Sequence, residues 1–232
     1  MSEMITVNTL DGKEKFQAYC AKPATPAKAA IIVIQEIFGV NAGIRQKCDK
    51  WAALGYLALA PDLFWRSAPG IDLDPDEPEQ LQQGFAYMQQ FSADIGVKDI
   101  EATIHAARAM IDGTKVGAVG YCLGGRLAYM TACRTDISAA VGYYGVMIDQ
   151  MLDEAAAIAH PLMLHIPTAD HFVGPEAQAA IHKGLDHHPK VTLHDYVGLD
   201  HGFATETGMR RDEAAAQLAD ARTTEFFARN LA

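Results

Sequence analysis

The stretch Val116-Gly-Ala-Val-Gly-Tyr-Cys-Leu-Gly-Gly-Arg126 decides the fold. Its first half is short and apolar, the pattern of a strand buried on both faces. Glycines then flank Cys122 at 120, 124 and 125, and a helical pattern follows. Gly-x-Cys-x-Gly-Gly between a strand and a helix is the spacing of a nucleophile elbow, with cysteine in the place of serine. Such a corner holds its central residue in a strained backbone conformation and leaves no room for a Cβ at the flanking positions. It also points the first amides of the helix at the sulfur, which favours the thiolate, the attacking species. The competing reading is a small buried thiol in a tight turn. A phosphate loop does not fit, because no Gly-x-Gly-x-x-Gly and no Walker lysine occur.

Working outward, strand-like runs at 30–34, 56–60, 115–119, 139–144, 162–166 and 191–197 alternate with helical patterns at 43–54, 79–91, 97–111, 124–133, 175–185 and 210–230. That rhythm predicts one α/β domain over 1–232, a mostly parallel sheet with helices on both faces. Residues 6–10 and 14–21, joined through Asp11-Gly12, read as an opening hairpin. Residues 65–79, rich in proline and acid, break the rhythm as a solvated excursion, either a surface loop or an arch over the site.

A cysteine nucleophile needs a base, and the base an orienting acid. In nucleophile-elbow enzymes these follow in the order nucleophile, acid, histidine. Of nine histidines, His201 alone sits in a loop between the predicted strand 191–197 and the final helix, where open α/β sheets meet their ligands. Asp170 follows the strand 162–166 and is the candidate acid; Asp186, Asp195 and Asp200 are rivals. Each has a plain structural alternative, a hydrogen-bonded histidine and a helix cap. Glu36, at the inner end of a buried strand, is costly unless bonded or working.

The formal net charge of −10 disfavours nucleic acid and anionic membranes as partners. The start of the chain has no apolar core of a signal peptide, and no apolar run approaches a membrane span. Four cysteines in such a chain read as reduced thiols, which makes the cytoplasm the default location. His187-His188, His194 and His201 match no zinc spacing, and no Cys-x-x-Cys occurs, so neither metal nor cofactor is expected. A monomer acting on a small molecule is expected.

Several blocks together resemble the dienelactone hydrolases (carboxymethylenebutenolidases) of the α/β-hydrolase superfamily. They are Gln35-Glu-Ile-Phe-Gly-Val40, Pro61-Asp-Leu63, Gly120-Tyr-Cys-Leu-Gly-Gly125, Gly142-Tyr-Tyr-Gly145, Ala169-Asp-His-Phe-Val173 and His201-Gly-Phe203, in that family's order and spacing over nearly the whole chain. The resemblance implies an α/β-hydrolase fold, a Cys122–His201–Asp170 triad and ester or lactone hydrolysis through an acyl-enzyme. It implies that Glu36 contacts the resting thiol and helps remove its proton when substrate binds. It also implies an oxyanion site made by the backbone N–H groups of Leu123 and Ile37.

Family members that take a carboxylate-bearing lactone hold it with arginines, and here the matching positions are Leu81 and the Ala204-Thr205-Glu206 stretch. Neither Arg66 nor Arg126 is placed in a cleft by the sequence. Leu81, Phe85 and Met88 fall at helical spacing, which is also plain helix packing. A bulkier, less acidic ester or lactone is therefore expected, with Phe38, Trp65, Leu81, Phe85, Tyr144 and Phe203 as candidate walls. The alternatives are a non-catalytic binding protein on the same fold, and an acyltransferase or dehalogenase using the same nucleophile.

Overall fold

The computed structural model describes residues 1–111, 115–206 and 208–232. Eight strands form one sheet in the order β1-β2-β4-β3-β5-β6-β7-β8. They are β1 (Ser2–Asn8), β2 (Lys15–Ala21), β3 (Ala30–Ile34), β4 (Leu57–Pro61), β5 (Val116–Tyr121), β6 (Ala139–Tyr143), β7 (Leu162–Pro167) and β8 (Val191–Tyr196). From β3 onward the strands are parallel; β1 and β2 add antiparallel at the β4 edge. The central strands β3 to β7 are buried at every residue, which explains their unbroken apolar runs.

Six α-helices occur among the described residues: α1 (Ala42–Ala53), α2 (Pro78–Gln90), α3 (Ala93–Met110), α4 (Leu123–Arg134), α5 (Pro175–Leu185) and α6 (Glu213–Asn230), with a 3-10 helix at Ile148–Ala157. Two large apolar clusters fill the faces. One joins α3, α4 and the 3-10 helix to the sheet, and the other joins α1 and α6 to the opposite side.

Two helix starts and one loop differ from expectation, each for a local reason. The third helix starts at Ala93, because Ser92 caps it by accepting the Ile95 N–H. The last helix starts at Glu213, because Asp212 caps it by accepting the Ala215 N–H, which leaves Arg210 and Arg211 in the loop before it. The excursion at 65–79 is tied down early: the Leu73 N–H donates to the Phe38 carbonyl, Asn41 reaches the Leu73 carbonyl, and Gly39 bridges Asp72.

Candidate active site

The corner after β5 has the geometry its glycines call for. Cys122 lies at φ 55° and ψ −114°, a region costly for a side-chain-bearing residue by about 1–3 kcal/mol. A Cβ on Gly120 would stand 1.9 Å from the Gly124 carbonyl oxygen, and one on Gly124 would stand 2.4 Å from that of Ile34. The Cys122 N–H donates to the Tyr143 carbonyl at 3.0 Å, and its carbonyl accepts the Arg126 N–H that opens α4. The sulfur therefore stands at the helix N-terminus while β6 fixes its backbone.

His201 follows β8 in a tight loop. Its own N–H donates to Asp200 at 2.6 Å, and Gly202 supplies the positive φ that turns the chain. The buried ring donates from Nδ1 to Asp170 Oδ2 at 2.9 Å. The other oxygen of Asp170 accepts the Phe172 and Val173 N–H groups, which fixes the carboxylate in its own turn; Gly174, not Asp170, caps α5. The His201 ring stands edge-on to Tyr144 and Phe172, at 4.9 and 4.8 Å between centroids. Burial opposes charge on the imidazole. The neighbouring Cys122 sulfur, with Asp170 behind, outweighs it and pushes the pKa up to about 10. Nε2 is buried and forms no hydrogen bond among the described residues.

Glu36 follows β3, where Gln35 pins the bend by accepting the Leu63 N–H at 3.0 Å. Its carboxylate is buried, which raises its pKa, against the pull of His201, Lys47 and Arg210. Among the described residues, the N–H groups of Ile37 and Leu123 donate to no backbone carbonyl outside helices and strands.

Cys122, His201 and Glu36 line a cavity of about 200 Å³ together with Leu81, Phe85, Met88 and Phe172. Phe38, Leu81 and Phe85 line it, as the sequence suggests. Trp65 does not. Its ring stacks on Phe16 at 5.8 Å, and its Nε1 donates to Asp99, which also holds Arg66. The indole thus covers the opening hairpin, which a sequence cannot distinguish from a cavity wall. Tyr144 and Phe203 also lie outside the lining, each only 1% exposed, beneath the His201 loop.

Four cavity residues were missed. Phe172 falls two residues after Asp170, and Val146 and Met147 precede the unexpected 3-10 helix. Arg210 is the one arginine or lysine among the described lining residues. Its signal was the Asp212 cap, which ends the loop two residues later. Glu206, in the stretch that matches the second arginine position, does not line the cavity: its side chain is buried between Lys47, at 3.2 Å, and Lys50 on α1. Arg66 and Arg126 do not line the cavity; Arg126 lies 3.4 Å from the Met147 sulfur. Asp170, His171 and Asp200 bring three ligand-type atoms within 4.8 Å, but His171 is bonded to Asp200 and Asp170 to His201.

The model of the dienelactone hydrolase family matches residues 16–231. Carboxymethylenebutenolidase 1 of Cupriavidus pinatubonensis is 35% identical over 98% of this chain and 97% of its own. The carboxymethylenebutenolidase of Pseudomonas putida is 38% identical over the same shares. Among solved structures, a dienelactone hydrolase-like promiscuous phosphotriesterase from metagenomic libraries superposes with a TM-score of 0.77 at 19% identity, covering 100% of this chain and 99% of that one.

Proposed function

The chain belongs to the dienelactone hydrolase family, and from that premise we propose that it cleaves an ester or lactone through an acyl-enzyme on Cys122. The observation that supports this most is the His201–Asp170 bond at 2.9 Å beside a strained thiol corner that opens on an apolar cavity. The thiol proton passes to His201 with Glu36 assisting, and the thiolate attacks the carbonyl carbon. The carbonyl oxygen takes the negative charge and is held by the Ile37 and Leu123 N–H groups. Collapse breaks the C–O bond, and the imidazolium protonates the departing oxygen. Neutral His201 then takes a proton from water, hydroxide attacks the thioester, and the acid leaves as the thiol is restored.

The cavity favours an ester or lactone with an apolar body. Leu81, Phe85, Met88 and Phe172 give it hydrocarbon and aromatic walls, and Arg210, the one arginine or lysine among its described lining residues, meets the opposing charge of Glu36 when that group is ionised. A substrate carboxylate would thus meet little net positive charge. Turnover of neutral p-nitrophenyl esters by wild type and by Cys133→Ala, lost in Cys122→Ala, tests the mechanism. A clear preference for an anionic dienelactone over neutral aryl esters would contradict the substrate reading.

A further inference from the structure

Tyr144 leaves β6 with φ 39°, a left-handed conformation that a tyrosine seldom adopts. Its N–H donates to the His165 carbonyl at 2.9 Å, so the strain is held from the neighbouring strand. The ring is wedged among Tyr121, Tyr143 and Phe203 and meets the His201 ring edge-on at 4.9 Å. Its hydroxyl is fully buried and has no hydrogen-bond partner among the described residues. Leaving a buried hydroxyl unpaired is unfavourable, so a strained backbone that delivers one needs a reason.

The Glu36 carboxylate supplies the complementary deficit. It is buried and accepts no hydrogen bond among the described residues, although it lines the cavity beside His201 and Cys122. The ring of Tyr144 lies behind His201, which lines the cavity together with Glu36 and Cys122. Burial raises the Tyr144 pKa, and the charges of Glu36 and Cys122 act in the same direction.

We propose that Tyr144 is a positioning residue of the reaction, whose hydroxyl donates to the Glu36 carboxylate when that side chain turns inward toward Cys122. The bond holds Glu36 ionised, the form that assists the passage of the thiol proton to His201. No bond to carbon changes in this step; the phenol keeps its proton and only its acceptor is new. The inference rests on the role proposed for Glu36 above. Tyr144→Phe removes the hydroxyl while keeping the ring against His201 and Phe203. It also leaves His201, Lys47, Arg210 and Cys122 around Glu36, and Tyr121, Tyr143 and Asp220 near the ring, as they are.

The test is the pH profile of kcat/KM on a neutral p-nitrophenyl ester for wild type, Tyr144→Phe, Glu36→Gln and the double variant. Loss of one hydrogen bond to a charged carboxylate moves the acid limb of Tyr144→Phe upward by about one pH unit, with a several-fold fall in kcat and little change in KM. Glu36→Gln removes that limb, and adding Tyr144→Phe to it moves nothing further. An unshifted limb in Tyr144→Phe, with Glu36→Gln altered, overturns the role of Tyr144 alone. A wild-type profile in Glu36→Gln overturns the role of Glu36 and this inference with it. A shift that persists in the double variant assigns the hydroxyl to another acceptor and also overturns it. Site-specific 3-fluorotyrosine at 144, a stronger donor, moves the limb downward in a protein whose fold is unaltered; no movement, or movement upward, counts against the proposal.

Discussion

At φ 55° and ψ −114°, Cys122 is held where a side chain is disfavoured, and the sulfur gains by it a helix N-terminus and a histidine. If the Asp170–His201 bond sets the ring tautomer, Asp170→Asn leaves the fold in place and lowers kcat by about a thousand-fold or more, read with a p-nitrophenyl ester. Arg210 acts on Glu36 through its charge, so Arg210→Met raises the proton affinity of Glu36 further and moves the acid limb of kcat/KM upward. An unshifted limb would remove Arg210 from the site's electrostatics. At this scale the motif was legible because chemistry and sterics constrain the same few positions. Glycine at 120 and 124 is required by carbonyl oxygens under 2.5 Å from any added Cβ, and that requirement is written in the sequence. Trp65 and Arg210 were not legible, since an aromatic can serve a cavity or a hairpin equally and an arginine next to a helix reads as part of it.

Among the elements, the loop carrying His201 is held on the α1 side. Glu206, 5% exposed at its side chain, is gripped by Lys47 and Lys50, while Lys47 also donates to the Ala204 carbonyl at 2.9 Å. Burial works against the Glu206 charge, but Lys47 and then Lys50 outweigh it and hold the pKa below the ordinary glutamate value. A depressed carboxylate stabilises the fold above its unfolded pKa and loses that contribution as pH falls through the folded one. Glu206→Gln therefore lowers stability at neutral pH, and the loss relative to wild type shrinks as pH drops below about 4 in urea titrations. A difference that stays constant with pH would rule this out. A second link joins α6 to the sheet: Thr223 bonds both His165, at 2.9 Å, and the Tyr143 hydroxyl, at 2.6 Å. Thr223→Val leaves the buried His165 Nε2 without its partner, while the Tyr143 hydroxyl keeps Asp220, and costs about 1–3 kcal/mol by the same titration. Both links are long-range pairings of side chains. Periodicity located α1, α6 and the strands, yet it holds no information on which side chain of one meets which of another.

For the whole molecule, the mostly parallel sheet was readable because strand and helix patterns alternate and β3 to β7 are short, largely apolar buried runs. The hairpin edge was readable from Asp11-Gly12, although β1 begins four residues earlier than its alternation suggests. The fold leaves the four free cysteines in different surroundings. Cys20 and Cys48 are fully buried with raised pKa values, Cys133 is pushed up to about 11 by burial, and Cys122 lines the cavity. Native protein should therefore lose one thiol quickly to iodoacetamide and all four only when unfolded.

The central claim is that an acyl group is carried on one sulfur. Rapid acid quenching during turnover of a p-nitrophenyl ester, followed by peptide mass spectrometry, tests it most directly. The account predicts the acyl mass on the peptide containing Cys122, absent from Cys122→Ala. Steady turnover with that peptide unmodified, or with the acyl group on Cys133 or a serine, would contradict it.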